Sequence, residues 1–386
     1  MRVLITTPPG LGHVHPMVPL ARAVLARGHD VLWATGQEAV GRVADAGLRP
    51  VAAGLGAGAA TQEFWRTNPE ARALRPDQIP DVMFPKMFGA VAAPAMLADL
   101  LPVAEAWQPQ LVVHDAAELA GPVVAAALGV PSVAKSFGPL IPRHRVAAAA
   151  EAVAPMWSGL GLEPPPFAGC YEHLYLDIYP ASLQPARPNY LGRVQPCRPI
   201  AYDVADGAHA AQVALPAGPD NRPLIYLTTG TVFTNVSALR QAIDGLASLE
   251  ARLLVTVGPS GDPADLGDQP AHVRVERYVP QTLVLQHCDV IISHGGSGTV
   301  LAALAGGVPQ LCLPQGADQF LNAAAIADAG AGLTIAPAEV DGAAIRRDTG
   351  RLLDDPQFRQ RAGQIAEEIA AMPGPDDVAA VLEQLA

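Results

Sequence analysis

Runs of consecutive apolar residues recur along both halves of the chain, separated by segments with helical spacing. In the first half these runs are 2–6, 31–35, 110–114 and 131–137. In the second half they are 224–230, 252–258, 273–279, 289–293 and 309–314. Continuous apolar runs are typical of parallel strands that are covered on both faces. Their alternation with helical segments such as 17–28 and 236–250 predicts a doubly wound α/β sheet in each half.

The repeated pattern predicts two Rossmann-like domains in tandem. We place an N-terminal domain at 1–200, a linker at 201–222 and a second domain at 223–372. The linker is rich in Pro, Gly and Ala and lacks a clear period. A C-terminal helix at 373–386 is a candidate to pack back on the N-terminal domain.

Two segments, 55–90 and 140–190, fit the alternation of strand and helix poorly. We interpret them as loops and short helices that line a pocket, with ordinary core packing as the competing interpretation of each large side chain. The candidates for an apolar acceptor surface in and beside these segments are Phe64, Trp65, Met83, Phe84, Met87, Phe88, Phe137 and Trp157.

Composition excludes several classes of function. Of the 386 residues 50% are hydrophobic and 16% charged, and the net charge is −12, which argues against a nucleic-acid or anionic-membrane binder. Pro8 and Pro9 interrupt the first apolar run, and no run approaches the roughly 20 residues that span a bilayer. We expect a cytoplasmic protein with no membrane segment. The cysteines have no metal-ligand spacing and are expected to be reduced.

A glycine-rich loop separates an apolar strand from an apolar helix in the second half. The loop reads SHGGSGT and comprises Ser293, His294, Gly295, Gly296, Ser297, Gly298 and Thr299. Glycines let an anion approach the backbone, and the free N–H groups of the following helix favour a phosphate. Because no lysine follows, the loop is not the Walker loop of nucleoside triphosphatases.

The first half has a counterpart, TTPPGLGHVHP at 6–16, which carries His13 and His15. Each loop alone is a weak signal, but two such loops, one in each domain, would face a common cleft if the domains are arranged in tandem. The stretch GLGHVH lacks the third glycine of a dinucleotide fingerprint, which disfavours an oxidoreductase.

The segment 277–333 resembles the donor-binding region of inverting nucleotide-sugar glycosyltransferases with the GT-B fold. It is most similar to the bacterial enzymes that attach deoxysugars to polyketides and related natural products. The similarity extends over the whole chain, with GLGHVHPMVPLARAVLARGHDV near the start and LVVHD ending at Asp115. This resemblance implies two Rossmann-like domains facing a central cleft, the acceptor bound by the first and the nucleotide sugar by the second.

By position, the resemblance makes His13 the general base and Asp115 the residue that orients it. It makes Tyr278 the aromatic that stacks on the nucleobase, with the Val279 backbone beside it. The other implied donor contacts are the diphosphate loop His294, Gly295, Gly296, Ser297, Gly298 and Thr299, a second loop with Gly230 and Thr231, and the sugar-binding pair Asp318 and Gln319.

The identity of the base is one point that this resemblance leaves open. His15, two residues beyond His13, is the alternative base. Ala302 stands where relatives that use UDP-sugars carry a ribose-binding glutamate, which favours a dTDP-deoxysugar donor. Since no acidic metal motif is present, we expect neither a metal nor a cofactor. The acceptor, the atom that receives the sugar and a homodimer are left open.

Two other classes of function stay open at this point. A sugar-nucleotide epimerase or hydrolase of the same fold would use the same diphosphate loop, although the apolar residues of 64–88 favour a larger acceptor. A non-catalytic auxiliary that binds a partner transferase could lose the base, its carboxylate or the Asp-Gln pair, and this chain keeps all of them.

Overall fold

The computed structural model describes residues 1–202, 215–219, 221–228, 236–258 and 261–386. The chain divides into two compact units. The first comprises Met1–Tyr179, Ala186–Tyr202 and Met372–Ala386, and the second Pro180–Pro185 and Asp203–Ala371. Each unit is built on a parallel sheet with helices, so the predicted fold class is confirmed. Much of the predicted linker lies outside the described residues.

Within residues 1–202 the first unit contains a seven-stranded sheet in the order β3-β2-β1-β4-β5-β6-β7. The strands are β1 (Arg2–Thr6), β2 (Asp30–Thr35), β3 (Arg49–Ala52), β4 (Leu111–Asp115), β5 (Ser132–Lys135), β6 (Leu174–Asp177) and β7 (Val194–Pro196). The pattern of apolar runs predicts β1, β2, β4 and β5 but misses the other three. The edge strands β3 and β7 are partly exposed and therefore carry no continuous apolar run.

The order of the strands places β1 and β4 side by side at the centre of this sheet, paired from Val3 opposite Leu111 to Thr6 opposite His114. Parallel strands end at the same edge, so the loops that follow β1 and β4 meet there. Helices of this unit are α1 (Leu11–Ala26), α2 (Gln37–Asp45), α3 (Ala57–Thr67), α4 (Ile79–Met83), α5 (Ala93–Trp107), α6 (Gly121–Leu128) and α7 (Arg143–Gly159).

The segments interpreted as loops and short helices are more regular than predicted. Residues 55–90 contain α3 and α4, and residues 140–190 contain the long helix α7 and the strand β6. Short 3₁₀ turns, Pro69–Ala73 and Pro166–Gly169, complete these segments. Several prolines interrupt the usual helical sequence signals, yet Pro155 is accommodated within α7. The short helices predicted for 55–90 are present, whereas α7 in 140–190 is longer than predicted.

A single helical stretch, Ile79–Trp107, joins α4 to α5 through the π-helix Phe84–Ala92. Its 29 residues include a window of mean hydropathy 1.7, of which 28% is buried, so by length and composition it could cross a membrane. The expectation that no apolar stretch reaches that length is corrected here. The π-helix packs against α3, α5 and α7.

In the part of residues 221–386 that the structure describes, a six-stranded sheet has the order β10-β9-β8-β11-β12-β13. Its strands are β8 (Leu224–Thr228), β9 (Arg252–Thr256), β10 (Val273–Glu276), β11 (Val290–Ser293), β12 (Gln310–Cys312) and β13 (Gly332–Thr334). All but β13 are predicted by the apolar runs. The helices are α8 (Val236–Leu246), α9 (Gln281–Leu285), α10 (Ser297–Ala305), α11 (Gln319–Asp328), α12 (Gly342–Asp354) and α13 (Pro356–Ala371).

The C-terminal helix α14 (Pro375–Leu382) belongs to the first unit, where it packs against α1. Glu383 accepts hydrogen bonds from Arg27 Nε at 2.7 Å and from His29 Nε2 at 2.8 Å. The hydrogen bond from Arg27 contributes most, and that from His29 next, to a pKa of Glu383 lowered to about 2. The segment therefore remains tied to the helix that begins at the first glycine loop.

Candidate active site

His13 lies in the first turn of α1, immediately after the glycine loop that follows β1. Gly10 is the N-cap of this helix and has an extended backbone, so the chain turns sharply from strand into helix. This turn directs His13 toward the end of the neighbouring strand β4. The His13 Nδ1 atom lies 3.0 Å from Asp115 Oδ1.

Asp115 is the last residue of β4 and is 1% exposed. Its Oδ1 atom also accepts a hydrogen bond from the backbone N–H of Ala117 at 2.8 Å. The carboxylate contact assigns the proton of the imidazole to Nδ1, because an ionised carboxylate only accepts. His13 Nε2 is then the acceptor atom of the ring, as a general base requires.

Two aromatic rings pack against His13. The Phe137 ring centroid lies 4.5 Å from the imidazole centroid, and that of Phe88 lies 5.8 Å away with the planes at 63°. The His13 side chain is 17% exposed, so the imidazole is neither sealed in the core nor fully solvated. An apolar molecule packed against these two rings would therefore lie beside the His13 imidazole.

The other candidates for the acceptor surface divide into two groups. Phe64, Phe84 and Trp157 are 0%, 7% and 3% exposed, and packing within the core accounts for them. The interpretation of these three as pocket residues is corrected accordingly. Trp65, Met83 and Met87, like the two rings beside His13, are partly exposed.

His15 occupies a different environment from His13. Its ring packs edge-on against Tyr202, with the ring centroids 5.5 Å apart, and the Arg22 guanidinium lies 5.1 Å from the centroid of the same tyrosine ring. The structure pairs Asp115 with His13. Of the two histidines, His13 therefore has the geometry of an oriented base.

The second glycine loop connects β11 to α10. Gly295 has φ +80°, a left-handed conformation that favours glycine, and a Cβ on Gly296 would lie 2.5 Å from His294 Nε2. Gly296 is the N-cap of α10 and offers no side chain to cap it. The first N–H groups of that helix are consequently available to an anion. Burial lowers the pKa of His294, and Asp318 partly opposes this effect.

Asn322 connects the glycine loop to the start of α11. It is fully buried, and its amide donates to Gly295 O at 2.8 Å, to Ser297 Oγ at 3.0 Å and to Asp318 Oδ2 at 3.1 Å. Ser297 in turn donates its hydroxyl to Asp318. Asn322 is not among the residues predicted from the sequence. Its position four residues after Asp318, on one face of α11, is the signal that could have revealed it.

Gln319 shapes the loop that precedes its own helix. Its Oε1 accepts from the backbone N–H groups of Gln315 at 2.8 Å and of Gly316 at 3.1 Å. Asp318 occupies the N-cap position of α11, but its carboxylate binds Ser297 and Asn322 rather than capping the helix. The pair thus lies at the loop with part of its hydrogen-bonding capacity already used.

Tyr278 and Val279 follow β10. Tyr278 is 44% exposed, whereas Val279 is 9% exposed. Val279 lies in an apolar cluster against which Ala302 of α10 also packs. Hence Ala302 lies near the proposed base-binding position. Gly230 and Thr231 lie outside the described residues.

Among the described residues, neither the cysteines nor the possible metal ligands form a second reactive site. The four cysteines are buried free thiols, and burial raises the pKa of Cys170, Cys288 and Cys312 to about 12. Within the described ranges no group of three or more His, Cys, Asp or Glu side chains has the arrangement of a metal site.

Two parallel-sheet units, one with a His–Asp pair and the other with a glycine loop at a helix start, define a glycosyltransferase of the GT-B class. Models of the erythromycin biosynthesis protein CIII-like family match this chain, the N-terminal domain at 79–225 and the C-terminal domain at 240–385. The chain belongs to this family of natural-product deoxysugar glycosyltransferases.

Relatives and solved structures agree with this assignment. The elloramycin glycosyltransferase ElmGT of Streptomyces olivaceus is 36% identical, covering 99% of this chain and 97% of the relative. The crystal structure of the glycosyltransferase SnogD from Streptomyces nogalater has a TM-score of 0.79 and 32% identity, covering 100% and 99%. Glycosyltransferase VinC in complex with dTDP has a TM-score of 0.79 and 27% identity, also covering 100% and 99%.

Proposed function

We propose that this glycosyltransferase moves a deoxyhexose from a dTDP-sugar to a hydroxyl of a hydrophobic natural-product acceptor, with inversion at the anomeric carbon. The observation that carries the proposal is the 3.0 Å contact between His13 Nδ1 and the buried Asp115 carboxylate. It fixes the tautomer in which Nε2 receives a proton. A hydroxyl is a weak nucleophile at neutral pH, so an oriented imidazole suits the reaction.

In the proposed step His13 Nε2 takes the proton of the acceptor hydroxyl. The acceptor oxygen forms a bond to the anomeric carbon while the bond from that carbon to the diphosphate oxygen breaks, and dTDP leaves with the electron pair. Asp115 stabilises the imidazolium as it forms, the role of the carboxylate in a catalytic triad. Attack from the face opposite the leaving group inverts the configuration.

The donor side of the proposal rests on the second glycine loop. The N–H groups at the start of α10 and the His294 imidazole would receive the diphosphate, whose charge increases as the bond breaks. Thymine would stack on the exposed face of Tyr278. The solved structure of glycosyltransferase VinC contains dTDP, which supports a thymidine diphosphate sugar as the donor.

Phe88 and Phe137 support an apolar acceptor, because both rings lie against the base. A flat or extended hydrophobic molecule packed on them would present a hydroxyl to His13. We also propose that no cofactor or divalent metal takes part. Turnover should therefore persist in excess chelator, and its loss there with recovery on adding Mg²⁺ or Mn²⁺ would contradict this part.

The proposal is tested by the stereochemistry of the product. Two donors of opposite anomeric configuration, dTDP-α-D-glucose and dTDP-β-L-rhamnose, are each incubated with the phenol 4-methylumbelliferone. We expect a β-glucoside and an α-rhamnoside, distinguished by anomeric coupling constants in NMR. Products that retain the donor configuration would contradict inversion. Release of free sugar without glycoside would instead indicate the hydrolase alternative.

A further inference from the structure

A buried lysine lies beside the carboxylate that orients the proposed base. Lys135 is the last residue of β5 and is 2% exposed. Its backbone is paired in register with Asp115 on the neighbouring strand β4. Paired residues of adjacent parallel strands direct their side chains to the same face, with the strands about 4.8 Å apart. Both side chains therefore occupy the same end and the same face of the sheet.

The surroundings of Lys135 provide little direct compensation for a charge. Its ammonium donates to the backbone carbonyl of Ser136 at 3.3 Å and forms no ion pair within the described part of the chain. A buried ammonium without a partner is costly, and burial accordingly lowers the pKa of Lys135. The neighbouring acidic groups Cys197, Asp115 and Asp177 would each oppose that effect when ionised.

The groups around this lysine come from three other elements. Asp115 ends β4, Asp177 ends β6, and Cys197 follows β7. Asp177 is only half-buried, and burial raises the pKa of Cys197, which keeps that thiol neutral. Asp115 is the fully buried carboxylate of the set. Its interaction with Lys135 crosses the least solvent and should be the strongest.

Two more ionisable groups adjoin Asp115. Burial lowers the pKa of His114 to about 4 and raises the pKa of Glu118. The first effect leaves the imidazole of His114 uncharged at neutral pH. Neither group supplies a positive charge to Asp115, whereas the ammonium of Lys135 can.

We propose that Lys135 is a positioning residue for the transfer reaction that acts through Asp115, its buried ammonium stabilising the anionic carboxylate that receives the His13 Nδ1–H. This inference rests on the proposed function for its catalytic meaning. The electrostatic coupling between Lys135 and Asp115 can be measured independently of turnover.

The chain itself offers a simple measurement, because Lys86 and Lys135 are its lysines. Lysine labelled with ¹³C at Cε gives one NMR signal for each, assigned from the spectra of Lys86→Arg and Lys135→Arg. We expect Lys135 to titrate at lower pH than the exposed Lys86, and Asp115→Asn to lower the midpoint of Lys135 by about one pH unit. Lys86 should not move. An Asp115→Asn protein in which both signals are unchanged would overturn the proposal.

Kinetics then distinguish positioning from a purely structural role. With 4-methylumbelliferone and dTDP-α-D-glucose, Lys135→Met should lower kcat about tenfold while the KM for the donor is unchanged. If Lys135→Met disturbs folding, Lys135→Gln takes its place, because glutamine keeps a donor for Ser136 O. The Gln variant should show the same loss of kcat. Lys135→Arg should restore part of kcat, and the exposed control Lys86→Met should match wild type.

A double-mutant cycle completes the test. If Lys135 acts through Asp115, Lys135→Met should have little further effect in an Asp115→Asn background. An equal loss in both backgrounds would show that Lys135 acts elsewhere. Normal turnover of Asp115→Asn would refute the proposed His–Asp mechanism itself, while the NMR titration would still report whether the two charges are coupled.

Discussion

The two glycine loops have similar local sequences and end in different chemical environments. After β1, the histidine meets a buried carboxylate on the adjacent strand, with two aromatic rings against it. After β11, the carboxylate of Asp318 is engaged by Ser297 and Asn322, and burial lowers the pKa of the loop histidine. The first loop is suited to accepting a proton and the second to holding an anion. The role of a histidine in a glycine loop therefore depends on the neighbouring elements.

The largest effect is expected at the first loop. His13→Ala should lower turnover by roughly two to four orders of magnitude, because no group then accepts the acceptor proton. Asp115→Asn should also reduce turnover strongly by favouring the wrong tautomer. Calorimetric titration with dTDP should give wild-type affinity for both variants, since the donor loop is untouched. His15→Ala is the matched control, and a greater loss of turnover in it than in His13→Ala would reverse the assignment.

The next largest effect concerns the donor nucleoside. A ribose 2′-hydroxyl buried against Ala302 would lose its water without gaining an acceptor, at a cost of roughly 1–3 kcal/mol. Calorimetry should therefore show dTDP binding about one to two orders of magnitude more tightly than UDP. Ala302→Glu should narrow or reverse this preference, and Ala302→Ser, of similar size, should alter it little. Equal or tighter binding of UDP by the wild type would contradict the argument.

Asn322 is expected to have a smaller effect on donor binding and a clear effect on stability. Asn322→Ala removes three hydrogen bonds from a fully buried site and leaves Gly295 O without that donor. The free energy of unfolding should fall by about 1–3 kcal/mol, and dTDP affinity by about tenfold as the loop loosens. Thermal unfolding and calorimetry measure the two quantities. Gln364→Ala, an exposed change, should alter neither, and an Asn322→Ala protein with normal affinity would show that the loop holds its shape without it.

Much of the fold could be predicted because buried parallel strands have continuous apolar runs in their sequences. The central strands β1, β4, β8 and β11 are of this kind. The exposed edge strand β3 lacks that pattern. The helical stretch Ile79–Trp107 continues through prolines, which usually mark a helix boundary. A local sequence pattern predicts a helix or strand well where that element is fully buried. It predicts poorly where contacts with the rest of the fold determine the element.

The candidate site shows the same division. His13, Asp115 and the glycine loop could be proposed because chemistry and resemblance point to the same residues. Asn322 and Lys135 are not among the residues predicted from the sequence. The spacing of four residues between Asp318 and Asn322 is a usable signal. The apolar stretch around Lys135, in contrast, does not indicate which neighbouring strand ends beside it. Phe64, Phe84 and Trp157 were attributed to a pocket for a related reason: an aromatic residue looks the same in sequence whether it lines a core or a surface.

The smallest expected effect is a pH dependence at the second loop. Burial lowers the pKa of His294, so the imidazole of the free protein is neutral at pH 7. In unfolded chains this histidine would bind a proton as the pH falls through about 6.5. Its burial should therefore reduce the stability of the free protein progressively below that pH. A diphosphate bound at this loop should reverse the preference, because the anion would favour the imidazolium and raise the pKa of His294 in the complex.

It follows that dTDP should gain affinity from His294 as the pH is lowered. The nucleotide's own phosphate also gains a proton in this range, so the informative quantity is the ratio of wild-type to His294→Ala affinity at each pH. Between pH 7.5 and 5.5 we expect that ratio to rise roughly threefold to tenfold. His13→Ala should leave the pH dependence of dTDP binding unchanged, because its imidazole serves the acceptor. A constant ratio for His294→Ala would show that this histidine stays neutral against the diphosphate, and that the helix N–H groups alone carry the charge of the leaving group.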